Sequence, residues 1–165
     1  MIYTHPNLGV PLTQGDILDG CPLLYWTIAG LDSEPTGTTS QERVVVLTQA
    51  CDLANAKTTR VQVAIVHEVD RLVSAGILKA QVVKDQVRRH RVIGWYFLPA
   101  DEDFPESIID LRDIHTLPRT ILERQIGNGS RLCSIATPHR EHLAQHFAVT
   151  YSRIALPEPY ETQAD

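Results

Sequence analysis

Arg43-Val44-Val45-Val46-Leu47-Thr48-Gln49-Ala50-Cys51-Asp52 is the stretch that decides the fold. Four consecutive apolar residues, Val44 to Leu47, predict a strand buried on both faces. The strand runs straight into Cys51-Asp52. A rigid strand end therefore holds a thiol beside a carboxylate, and Asp52 is expected to cap one helical turn reaching Lys57.

Strand character extends outward on both sides. Gly15 to Gly20 reads as a short strand between turn glycines, and Pro22 to Ala29 is β-rich through Leu23, Leu24, Tyr25, Trp26 and Ile28. Residues 30–41 hold Gly, Pro, Ser and Thr and are expected to form a mobile loop. Arg60 to Val66 alternates Val61, Val63 and Ile65 against Gln62 and Ala64, the pattern of a second strand. Further strands are expected at 92–98, 107–114 and 130–136, while 118–126 fits strand or helix equally.

Two segments change period. Val69, Leu72, Val73, Gly76, Ala80, Val83 and Val87 recur three or four apart, predicting an amphipathic helix over 68–89 that Gly76 bends or splits. A second helix is expected over 138–155. Thr137 would cap it, Pro138 would take its first position, and Leu143, Phe147, Tyr151 and Ile154 would face the core. The resulting fold class is mainly β (α+β): a small, strongly bent antiparallel β-barrel of five to seven strands. It has one inserted helix, one C-terminal helix, and a disordered acidic tail from Pro157 to Asp165.

Composition bounds the function. At 165 residues the chain is one domain, long enough to remove roughly 70% of its unfolded surface from water. No apolar run nears the roughly 18 residues of a membrane span, and the first residues lack the pattern of a secretory signal. The three cysteines, Cys21, Cys51 and Cys133, are odd in number and widely spaced, which argues for a reducing compartment. The net charge of −5 excludes a bulk polycation, so any contact with nucleic acid must be local.

Three constellations carry chemistry. Cys51 at the start of a helical turn is a candidate nucleophile, given a histidine in reach, and Asp52 stands beside it. His139, His142 and His146 share one face of the last helix, directed away from its apolar stripe, and are candidate metal ligands. Lys84, Arg88, Arg89 and Arg91, with Trp95 and Tyr96 close behind, are candidate phosphate and base contacts. Walker, dinucleotide and nucleophile-elbow motifs are absent from the sequence.

The succession Gly15-Asp16-Ile17, Arg43 to Leu47, Val61 to Val66 and Ser107 to Asp110 resembles the PemK/MazF toxin barrels. That likeness implies a toxin–antitoxin setting and RNA cleavage, with Arg43 at the family's strand-start arginine and Val44 at its proline. The set Gln14 to Ile17, Leu47 to Leu53 and Arg140 to Gln145 is similar to small uncharacterised bacterial proteins, which implies a prokaryotic, cytoplasmic origin. The leading expectation is a binding module of a bacterial stress or defence system that engages a protein or a nucleic acid. A homodimer is a further arrangement, and no membrane and no cofactor are expected. The alternatives are a PemK/MazF-like endoribonuclease using Arg43 and a hydrolase using Cys51.

Overall fold

The computed structural model describes residues 1–102 and 104–152. Its strands are β1 (Tyr3–Thr4), β2 (Asp16–Thr27), β3 (Thr36–Val46), β4 (Arg60–Glu68), β5 (Trp95–Leu98), β6 (Ser107–Pro118) and β7 (Arg131–Ile135). The helices are α1 (Ala50–Ala54), α2 (Val69–Ser74), α3 (Ala80–Asp85), α4 (Arg119–Gly127) and α5 (His139–Tyr151), with a 3-10 turn at Val87–Arg89. No helix among the described residues is long and apolar enough to cross a membrane.

The strands form one antiparallel sheet in the order β1-β7-β2-β3-β4-β6-β5. Register shifts at Leu18/Cys21, Ile17/Leu18 and Ala64/Ile65 bend it. The expected closed barrel is not formed, because β1 and β5 remain edges. The two ends are bridged by side chains instead of a ladder: Tyr3 Oη donates to the Pro99 carbonyl at 2.7 Å, and the Tyr3 ring meets Phe104 edge-on at 5.7 Å.

The Val44–Leu47 run splits as a two-sided strand should. Val45 and Leu47 enter one core with Ile17, Ala64, Ile109 and Leu143, which α5 covers. Val44 and Val46 enter the opposite core with Leu18, Val63, Leu122 and Ile126, which α4 covers. A third cluster seats α2 and α3 on β5 and β6 through Val69, Leu78, Val83, Val87, Phe97 and Ile108.

Several sequence expectations are corrected. The single helix over 68–89 is broken at Gly76, whose φ of +69° allows a left-handed turn. Gly76 N–H donates to Val73 O, and Ile77 N–H donates to Leu72 O, closing α2 in a Schellman motif. The second half of the expected 30–41 loop is strand, since β-branched Thr36, Thr38 and Thr39 pair with Thr27, Tyr25 and Leu24. Residues 119–127 are helix. Asp52 lies inside the first turn of α1, which has no side-chain cap, and faces Lys57 at 3.9 Å. Thr137 does not cap α5; its hydroxyl donates to the Glu141 carboxylate at 3.0 Å. Ile154 and the expected tail from Pro157 lie outside the described residues.

Candidate nucleic-acid interface

The 3-10 turn after α3 is held from below. Val83 and Val87 are buried against Phe97 and Ile108, which turns Lys84, Arg88, Arg89 and Arg91 to solvent. Arg88 pairs with Glu106 and lies over the Phe97 ring at 5.4 Å. Arg89, Arg91 and Lys84 have no ion pair among the described residues. On the adjacent strand Arg112 stacks on Trp95 at 4.8 Å and forks onto Asp110 at 3.0 and 3.1 Å.

His90 reverses the chain in the left-handed conformation, with φ of +53°. Its N–H donates to Val87 O at 2.9 Å, and Arg91 N–H donates to Gln86 O at 3.0 Å. The reversal drives the imidazole inward while its arginine neighbours stay outside. Its ring lies 4.4 Å from Tyr96, 5.0 Å from His142 and 6.1 Å from His146.

The histidine face of α5 borders His90 and Tyr96 on one side: His139 and His146 are half-buried, while His142 is exposed, as the helical wheel implies. A helix seated in a bent sheet has neighbours on its flanks as well as beneath it. Tyr96 Oη is 3.3 Å from the His139 carbonyl and 3.1 Å from His142 Nδ1. The hydroxyl has one hydrogen, so making both contacts requires it to donate to the carbonyl and accept from Nδ1–H. His90 Nδ1 and His146 Nε2 are buried without a hydrogen-bond partner among the described residues. Those residues include no group of three ligating side chains placed to hold a metal ion, so the candidates His139, His142 and His146 are not brought together as a ligand set.

Burial keeps the His90 and His146 rings neutral at pH 7. Burial, then the neighbouring His142, His146 and His139, push the His90 imidazole down to about 4. Burial also lowers His146, with His142 adding and the Val92 and Trp95 carbonyls opposing. The folded state thus binds fewer protons than the unfolded chain, whose histidines titrate near 6.5. The stability this provides is full above pH 6.5 and is lost as pH falls from 6.5 toward 4. Thermal unfolding is expected to show a decrease of about 1–2 kcal/mol between pH 7 and pH 5, after discounting for the ring's partial exposure. His90→Gln should flatten that dependence; an unchanged slope would assign it to other groups.

Beside the arginines lies a pocket of about 270 Å³ whose lining includes Arg88, His90, Tyr96, Leu98, Ile135 and His139. It falls just under the roughly 300–1,000 Å³ of drug-sized ligand sites, and so suits one base-sized group. The sequence marked the arginines but hid His90 inside the charge run. Tyr96 was already marked beside the arginines as a candidate stacking residue.

The other candidates are not brought together. Cys51 is exposed, and its thiol lies 3.6 Å from Gln49 Oε1 and 3.9 Å from Asp52 Oδ1, with no histidine bonded to it among the described residues. Cys21 and Cys133 are buried, which pushes both thiols up to about 12 and leaves them inert. Arg43, at the far end of the same strand segment, is tied to Glu68 at 3.2 Å and Asp19 at 3.3 Å. Comparison with protein-family models and with curated proteins finds no match to this chain.

Proposed function

We propose that this chain is a non-catalytic binding module for single-stranded nucleic acid, working in a bacterial cytoplasmic stress or defence system of toxin–antitoxin type. The setting rests on the resemblance in strand layout. The binding mode rests on one juxtaposition: exposed Arg88 lines a pocket also walled by His90, Tyr96 and His139, and the exposed Arg89 and Arg91 flank His90 in the chain. Cations meet the phosphates, and an unstacked base enters beside imidazole and phenol rings. A duplex buries its bases and does not offer one to such a pocket. The local positive face also reconciles binding with a net charge of −5.

Fluorescence anisotropy with labelled oligo-U and oligo-dT tests this reading. Three to four phosphate contacts give a log–log salt slope of roughly −2 to −3. The double variant Arg89→Ala/Arg91→Ala should weaken binding about tenfold or more and flatten the slope by roughly 1.4. Arg124→Ala, on α4, is the control for losing an exposed positive charge elsewhere and should change little. Failure to bind at low salt, or equal damage from Arg124→Ala, overturns the proposal. Shortening of the labelled RNA would overturn its non-catalytic part.

A further inference from the structure

β5 carries one three-part unit twice. The Phe97 ring lies under the Arg88 guanidinium, which pairs with Glu106. Two residues back, the Trp95 ring lies under the Arg112 guanidinium, which forks onto Asp110. Trp95 and Phe97 both pack on the cluster that seats α2 and α3, so the two units stand on one face of β5. In each, a ring supports a planar cation from below and a carboxylate holds its edge. A strand rises about 3.3 Å per residue, which sets the two rings roughly 6.6 Å apart.

The Arg112 unit is fixed by the strand pair. Trp95 stands directly opposite Asp110, and Arg112 follows Asp110 by two, on the same face of β6. The Arg112 N–H adds a bond to Asp110 Oδ1 at 3.0 Å. The arginine stem crosses Gly94, where an added Cβ would come 2.8 Å from Cδ and 2.9 Å from Cγ. Gly94 also has a φ of +89°, so both space and backbone call for glycine there. Although a ring and a carboxylate hold it, the Arg112 side chain stays 55% exposed. Its guanidinium thus presents a flat, immobilised face to solvent.

The chemistry of that face identifies its ligand. Asp110 already neutralises Arg112, so the unit offers a stacking plane rather than surplus charge. The surplus comes from Lys84, Arg89 and Arg91, exposed and without an ion pair among the described residues. A planar group on an anionic backbone answers both features, and a nucleobase is that group. Bases stacked in a duplex strand repeat about every 3.4 Å, so platforms roughly 6.6 Å apart fit neighbouring bases only when the strand is splayed.

We propose that Arg112, backed by Trp95, is a stacking subsite for the base next to the one held in the Arg88, His90 and Tyr96 pocket. The subsite rests on the single-strand binding proposed above. Anisotropy at low salt tests it, with oligo-dT and with a fully abasic strand of the same length. Arg112→Lys keeps the charge and a partner for Asp110 but loses the plane. It should weaken oligo-dT binding about tenfold, with the salt slope and the affinity for the abasic strand both unchanged. Oligo-dT binding as tight as that of the wild type overturns this subsite alone. An equal loss on both strands also overturns it, because the contact would then be to phosphate. A wild-type chain that binds neither strand overturns the binding reading itself, and the subsite with it.

Discussion

Arg131→Met is expected to lower the unfolding free energy by about 3–5 kcal/mol, the range for stripping one partner from a buried ion pair. Asp16 is fully buried and the Arg131 side chain is 2% exposed, with Nη1 3.1 Å from Asp16 Oδ2. Oδ2 also accepts the Thr13 N–H at 2.9 Å, and Oδ1 accepts the Ser134 hydroxyl. Arg131 Nη2 donates to the carbonyls of Asn7 at 2.7 Å and Val10 at 2.9 Å. One guanidinium thus joins residues 7–13 to β2 and β7. Methionine keeps the stem but strands the Asp16 carboxylate away from water. Urea unfolding should show a lower midpoint at unchanged slope. The double change Asp16→Leu/Arg131→Met should recover part of the loss, because no lone charge remains. A single-variant loss under about 1.5 kcal/mol would show that water or local rearrangement relieves the stranded carboxylate.

This pair also marks the limit of what sequence discloses. The cores were legible because burial of successive residues leaves a local signature: Val44 to Leu47 alone implies a strand between two apolar layers. The Asp16–Arg131 pair leaves none, since its members stand 115 positions apart and each reads as an ordinary polar residue. His90 was concealed differently. Composition groups it with Arg89 and Arg91, yet one left-handed residue sends its ring inward while they stay outside. The start of the hairpin's second strand was read as loop because it is built from Thr, Gly and Ser. Pairing with β2 makes it strand.

Arg43→Ala is expected to cost about 2–3 kcal/mol of stability, and Arg43→Met about 1–2 kcal/mol. Arg43 was the sequence's candidate for stabilising charge on a phosphate, but its guanidinium is already engaged. Nη1 and Nη2 bind Glu68 and Asp19, and Cζ lies 5.6 Å from the Phe104 ring centre. Glu68 is shared with Arg71 at 2.8 Å, so the group couples β2, β3, β4 and α2. Both carboxylates retain some exposure, which keeps the loss below that of the Asp16–Arg131 pair. Alanine removes both the charge and the stem beside Phe104, whereas methionine removes the charge alone. The difference between the variants therefore measures packing. Raising salt should narrow the gap between wild type and Arg43→Met, because those ion pairs are screened. A residue reserved for an incoming phosphate would behave differently: Arg43→Met would leave stability unchanged or increased while weakening oligonucleotide binding. Measuring both quantities on the same variants decides whether Arg43 braces the fold or meets a ligand.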